Sequence, residues 1–285
     1  MVPDRWYVIL EAREVPRTGP VGVVRFGQRL VLWRNGDRLL CTSDDCPHRG
    51  AALSLGRVVD GCVECPFHGF RFAGDGRCAK VPANGEDRPI PKGLRIRSFP
   101  VREAQGFVWL WFGEDREGLP PLPWFEDLDD RYVHATFTDD WDTHYTRAIE
   151  NQLDFTHLPF AHRTTIGRRI PERLGVLTEV DGDRIHASYD PAVYDAGGFF
   201  IELMAPNLWR NRLGDKAWVV VAFAPIDAER TRLYLRFYQR FVTLPLLGSL
   251  VCAVANLFNR RVLAQDKRVV LSQRPRVTEL RMGET

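Results

Sequence analysis

Cys46-Pro47-His48-Arg49-Gly50 and Cys65-Pro66-Phe67-His68-Gly69-Phe70 decide how this chain is read. Each stretch offers one thiol and one imidazole, and sixteen residues lie between His48 and Cys65. Two cysteines and two histidines on two loops suit a [2Fe–2S] cluster with both thiolates on one iron and both imidazoles on the other. Imidazole is neutral where thiolate is charged, so the histidine-bound iron is the easier one to reduce. Gly50 and Gly69 suit loops folded tightly around such a group, where backbone N–H groups must approach sulfide. Pro47, Pro66, Phe67 and Phe70 would cover it against water.

A zinc site is the alternative. Cys62 and Cys65 form a CxxC pair that Cys46 and His48 could complete to four ligands. A histidine two residues after a cysteine and a glycine after the last histidine are not needed for zinc. With its flanks, the double motif resembles a Rieske domain. Some electron-transfer Rieske proteins brace the two cluster loops with an extra cysteine pair. Here Arg49 follows His48, that loop holds no further cysteine, and Cys62 lacks an evident partner, which points to the low-potential, oxygenase type of centre.

Composition bounds the rest. A chain of 285 residues is long enough for two domains. A formal net charge of +2 argues against nucleic acid as the main partner. Only Lys80, Lys92, Lys216 and Lys267 are lysines. The cysteines outside the motif, Cys41, Cys62, Cys78 and Cys252, form no disulfide framework, so a reducing, cytoplasmic location is expected. The first residues lack a basic-then-apolar leader pattern. Residues 241–258 form the longest apolar stretch, interrupted by Pro245, Gly248, Ser249 and Asn256. It reads as a buried or amphipathic helix, with peripheral membrane contact left open.

The patterning predicts an α+β chain. Residues 5–115 read as an all-β domain, with strands around 21–24, 29–33, 38–41, 57–63, 69–73, 94–101 and 106–112. Asn35-Gly36 between two apolar runs signals a hairpin. Pro120, Pro121 and Pro123 mark a linker. Within 116–285, residues 140–165 read as helix and turn. Strands are expected at 174–180, 184–189, 198–204, 217–225 and 231–241, and a helix at 246–273, so an antiparallel sheet wraps a C-terminal helix.

The second informative stretch is Asn151-x-x-Asp154-x-x-His157-x4-His162. Asn151, Asp154 and His157 share a helix face at i, i+3, i+6. Pro159 should break the helix and let His157 and His162 converge. Two histidines and a carboxylate on one face of a metal is the facial triad of non-haem Fe(II) oxygenases. Asp266 is the candidate carboxylate, because it falls on an apolar stripe with Phe258, Val262, Val269 and Val270, where an unpaired charge is costly. The plainer readings are surface or cap histidines and an outward-facing aspartate paired with arginine.

Taken together, the cluster motif, the 151–162 motif and Gln265-Asp266 resemble the α-subunits of Rieske non-haem iron oxygenases, and among them the vanillate demethylase and pheophorbide oxygenase-like branch. The resemblance implies a helix-grip, START-like catalytic domain, Fe(II), O2, an NAD(P)H-dependent reductase or ferredoxin as electron donor, and head-to-tail homotrimers. It also implies that Asp154 bridges His157 to a cluster histidine of a neighbouring copy. The expected activity is hydroxylation or oxidative demethylation of a hydrophobic, aromatic or polycyclic small molecule. Desaturation, ring opening, or an electron carrier fused to a binding domain are the alternatives. Phe199, Phe200, Leu203, Trp209, Trp218 and Phe223 are expected in the pocket wall. Arg49, Arg57, Arg71, Arg77 and Lys80 around the cluster loops are expected to attract an acidic donor protein.

Overall fold

The structure, a computed structural model, describes residues 1–85, 88–189 and 200–278. The chain divides into two compact units, Met1–Leu122 and Pro123–Thr285, at the proline run.

The first unit is all strand apart from short 3-10 turns. It contains β1 (Arg5–Glu11), β2 (Val21–Arg25), β3 (Gln28–Asn35), β4 (Arg38–Ser43), β5 (Arg57–Val59), β6 (Cys62–Glu64), β7 (Arg71–Phe72), β8 (Cys78–Lys80), β9 (Val101–Ala104) and β10 (Phe107–Phe112). They form sheets β1-β10-β9, β2-β3-β4 and β5-β6-β7-β8. Asn35 pairs with Arg38 across a tight turn in which Gly36 takes φ 60°, as the Asn-Gly signal predicts. The expected strand 57–63 is instead a hairpin, because Asp60 and Gly61 take φ 51° and 75° and turn the chain back. Of the expected strand 94–101 only Val101 is extended into β9. Val31, Trp33, Leu40, Leu53, Val63, Phe72 and Ile96 pack into one buried cluster that also takes in Cys46 and Cys65. Both cysteines are therefore rooted in the core, while His48 and His68 are exposed.

The second unit contains β11 (Val133–Trp141), α1 (Tyr145–Leu153), α2 (Leu158–Ala161), β12 (Leu177–Asp181), β13 (Arg184–Ser188), β14 (Ile201–Met204), β15 (Leu208–Arg212), β16 (Ala217–Pro225), β17 (Thr231–Gln239) and α3 (Pro245–Val270). The strands form one antiparallel sheet in the order β11-β17-β16-β15-β14-β13-β12. The long helix α3 lies along β11. Cys252 Sγ and the Asn256 amide donate to the Val133 and Ala135 carbonyls at 3.4 and 2.9 Å, and Lys267 Nζ meets Asp139 at 2.7 Å. The fold is α+β, with a helix-grip arrangement of sheet and helix.

Two strands in this unit, β11 and β15, are not anticipated by the sequence reading. One side of α3 is uncovered and apolar, with Leu246 90% exposed and Leu250 and Leu257 60% and 66%, so this stretch is not the buried helix expected. By length and hydropathy Leu246–Val270 could also cross a membrane.

Candidate active site

The two motif loops of the first unit repeat one local geometry. Gly50 N donates to Cys46 O at 2.8 Å, and Gly69 N donates to Cys65 O at 3.0 Å. Cys46 N reaches Ala51 O at 2.9 Å, and Cys65 N reaches Phe70 O at 2.7 Å. Each loop is a turn closed on its own cysteine by a glycine in the left-handed region, with φ of 69° at Gly50 and 70° at Gly69. The imidazoles of His48 and His68 stand 4.7 Å apart between ring centres, and His48 stacks flat on Phe70 at 4.9 Å. Burial pushes the Cys46 thiol up to about 11, and the adjacent Cys65 adds to this. Bound iron would reverse that preference, because its charge favours the thiolate.

A single zinc ion needs all its donors within roughly 4 Å of one another. Among the described residues, only His157, His162 and Asp266 bring three or more His, Cys, Asp or Glu ligand atoms within 4.8 Å. The Cys46, His48, Cys62 and Cys65 set does not close in this way, which disfavours zinc. Cys46 lies beside Cys65 and His48 beside His68, the like-with-like pairing that a two-iron cluster with thiolates on one iron and imidazoles on the other requires.

Of the basic side chains near these loops, Arg57 and Arg71 both bond Glu64 at 2.7 Å, Arg71 also holds Asp60, and Arg77 holds Asp75. Arg49 and Lys80 are exposed. The basic surface is thus weaker than the residue count suggests.

The second site is built by α1, α2 and α3. The break expected at Pro159 lies earlier. Helix α1 stops at Leu153, Asp154 leaves it extended with φ −85° and ψ 126°, and Pro159 sits in the first turn of the short α2. Asn151, Asp154 and His157 therefore do not share one continuous helix face. The turn nevertheless brings the imidazoles of His157 and His162 to 5.2 Å between ring centres. Asp266 Oδ1, on α3, lies 2.8 Å from His162 Nε2 and 3.3 Å from His157 Nε2. Asp266 and His162 are buried. Val269, placed on the same stripe as Asp266 by the periodicity, is exposed.

The surroundings orient the donors. Gln265 Oε1 lies 2.9 Å from His162 Nδ1 and accepts a further bond from Thr165 Oγ1 at 2.7 Å. With Nδ1 carrying its proton toward Gln265, Nε2 of His162 is left to ligate. Gln265 Nε2 is itself tied to Thr164 Oγ1 at 3.0 Å. The sequence places Gln265 beside Asp266, but its part in holding His162 is visible only in three dimensions.

Asp154 Oδ1 accepts from the backbone N–H and hydroxyl of Thr156, both at 2.6 Å. Its Oδ2 stands 3.5 Å from His157 Nδ1, close enough for an ion pair but without hydrogen-bond geometry, so that nitrogen has no hydrogen-bond partner.

Burial alone would raise Asp266, yet hydrogen bonds from His157 and His162 hold its carboxyl down to about 2. Burial alone would lower His157, yet Asp154 and Asp266 raise it to about 9. The site thus calls for positive charge at the point where the three donors meet. Two imidazoles and one carboxylate that converge, with His162 and Asp266 buried and His162 oriented from behind by Gln265, fit an Fe(II) ion.

A cavity of about 400 Å³ opens on these donors. Asn151, Asp154, His157, His162 and Asp266 line one part of it. Ile201, Trp209, Asn211, Val219, Val221, Leu235 and Phe237 line the sheet side. These last seven alternate along β14 to β17, so they share one face of the sheet. Of the expected wall, Trp209 is present and Phe199 lies outside the described residues. Phe200 and Trp218 have the opposite phase. They meet edge to face with ring centres 5.5 Å apart, and the Arg210 guanidinium covers Trp218. Leu203 and Phe223 share the phase of the lining residues but do not line the cavity. Asn211, a lining residue, carries no periodic signal of its own.

Residues 5–100 match the Rieske [2Fe-2S] domain, and residues 141–284 match the vanillate O-demethylase oxygenase C-terminal domain. Among curated proteins, the vanillate O-demethylase oxygenase subunit of a Pseudomonas species is 34% identical over 212 residues, covering 70% of this chain and 60% of that one. The chloroplastic chlorophyllide a oxygenase of Arabidopsis thaliana is 28% identical over 293 residues, covering 95% of this chain and 52% of that one. This chain spans less than two thirds of the length of the curated relatives it matches. Among solved structures, NdmA of Pseudomonas putida CBB5 superposes with a TM-score of 0.84 at 24% identity, over 99% of this chain and 85% of that one, which shows a shared fold. The matched second domain spans half of the chain, and with the first domain ahead of it the chain belongs to the family of Rieske oxygenases with a vanillate O-demethylase type C-terminal domain.

Proposed function

We propose that this chain is an oxygenase. It uses O2 and electrons from an NAD(P)H-dependent reductase or a ferredoxin to hydroxylate or oxidatively demethylate a hydrophobic, aromatic or polycyclic small molecule. The observation that carries this reading is the convergence of His157, His162 and Asp266 on an apolar cavity, in a chain that also presents Cys46, His48, Cys65 and His68 on paired loops. An electron carrier with an attached binding domain would have no use for a convergent donor triad at a cavity.

Cys46, His48, Cys65 and His68 would hold the [2Fe–2S] cluster, and His157, His162 and Asp266 the Fe(II). When bound, these groups supply one-electron transfer and activation of O2. The chain's own side chains do the rest. Gln265 fixes the tautomer of His162 and frees Nε2. Asp154, held by Thr156, presents its second oxygen beside His157 Nδ1 and bridges it to a cluster histidine of a neighbouring copy in a head-to-tail homotrimer. Asn151 lines the cavity next to this turn and faces the ligand from the metal end. Ile201, Val219, Val221, Leu235 and Phe237 exclude water from the reacting bond. The free cysteines fit a reducing, cytoplasmic setting.

The test is turnover with O2 carrying the 18O label and a reductase, against aromatic, methoxylated and alicyclic compounds. Label in the product, or loss of a methyl group as formaldehyde, is expected. Reduction of the cluster without any product from a fully metal-loaded protein would overturn the reading.

A further inference from the structure

The cavity wall has two features that the oxygenase reading leaves unexplained. The first is an unused donor and acceptor. Of the eight tryptophans, seven donate their indole N–H, from Trp6, Trp33, Trp109, Trp111, Trp124, Trp141 and Trp218. Trp209 does not, although its Nε1 is buried. A buried indole N–H ordinarily finds a partner. Asn211 Oδ1, two residues along β15 on the same face, is also buried without one. Both residues line the cavity. As it stands, Asn211 offers that oxygen as an acceptor beside the Trp209 donor.

The second feature is charge. Among the described lining residues there is no lysine or arginine. Several arginines neighbour lining residues in sequence, yet strand alternation and local pairs engage them elsewhere. Arg210 holds Glu202 at 2.6 Å, Arg212 holds Asp215 at 2.9 Å, Arg236 donates to the Tyr238 hydroxyl at 3.0 Å, and Arg260 lies over Phe137 at 4.4 Å. Residues 190–199 contain neither lysine nor arginine. With iron bound, its two positive charges would be balanced by Asp154 and Asp266 and His157 would be a neutral ligand, so an anionic ligand at the Trp209–Asn211 edge would find no lysine or arginine to pair with.

We propose that the cavity takes an uncharged, largely apolar ring compound that carries a hydrogen-bond acceptor and a donor on one edge, as a carboxamide, lactam or hydroxyketone does. Trp209 Nε1 donates to that edge, Asn211 Oδ1 accepts from it, and carboxylates are rejected. This rests on the cavity being the oxygenase substrate site, and it departs from vanillate, the carboxylate after which one relative is named.

The test is calorimetric titration of the metal-loaded full chain, without O2, using three compounds of one shape: naphthalene-2-carboxamide, 2-naphthoate and 2-isopropenylnaphthalene. The carboxamide should bind at least about tenfold more tightly than the naphthoate at pH 7. Trp209→Phe and Asn211→Leu should each weaken the carboxamide about tenfold and leave the isopropenyl compound within about twofold, which also shows that the variants fold. Naphthoate binding as tightly as the carboxamide overturns the proposal. So does equal weakening of both neutral compounds, which marks a structural role, and so does binding of none of the three. Tight carboxamide binding without product when O2 and reductase are added would overturn the oxygenase reading and leave the ligand assignment standing.

Discussion

The two candidate iron sites are built by opposite strategies. The cluster loops are local: each closes on its own cysteine through a glycine four residues on, and the two loops differ little in hydrogen bonding. The triad is assembled from a distance, since 104 residues separate His162 from Asp266. A local site depends on backbone turns that a short motif can specify. A long-range site depends on a helix end, a seven-stranded sheet and the seating of α3 on β11. Loss of a ligand should therefore empty one site and spare the other, and this independence can be tested.

The largest effect is expected from Cys65→Ser, which should abolish the cluster, read as loss of acid-labile sulfide and of the visible absorption. Iron at the second site should remain. His162→Ala should do the reverse, with sulfide unchanged and the mononuclear iron below detection. If either variant emptied both sites, the two units would not be independent. Asp154→Ala should keep both metals while slowing reoxidation of the reduced cluster by substrate and O2 by about 10- to 100-fold, seen in a single-turnover experiment. Unchanged reoxidation would remove Asp154 from the electron path.

Gln265→Ala should weaken iron binding at the triad by about 10- to 100-fold without touching the cluster, measured by competition with a chelator. Within the cluster loops the contrast is finer. Gly50 and Gly69 both have positive φ, but a Cβ at Gly50 meets nothing within 4 Å, whereas at Gly69 it meets Pro82 Cγ at 3.1 Å. Gly50→Ala should cost about 1–2 kcal/mol of strain, and Gly69→Ala more than Gly50→Ala, compared as midpoints of thermal unfolding.

What can be read in advance follows the same division. The Cys-Pro-His and Cys-Pro-Phe-His loops are legible because spacing and glycine fix a turn. Asp266 stands out because a charge on an apolar helical stripe needs a partner. Strand β15 is not legible, because Trp209-Arg210-Asn211-Arg212 alternates an aromatic and an amide with two arginines and shows no apolar phase. The face of Trp218 is obscured for a related reason. Strand β16 is apolar on both faces, so composition carries no phase, and the sheet register alone turns Trp218 toward Arg210. The early end of α1 at Leu153 is hidden by the presence of Pro159, a stronger breaker nearby, while the Asp154 carboxylate held by Thr156 stabilises the turn.

The most direct test of two sites in one chain is a count of iron and acid-labile sulfide per polypeptide in anaerobically purified protein given Fe(II) and desalted. The account predicts a ratio near three to two, from two cluster irons and one mononuclear iron against two sulfides. A ratio near one to one that persists after Fe(II) is added back would contradict it, leaving a cluster alone and a triad that binds no iron.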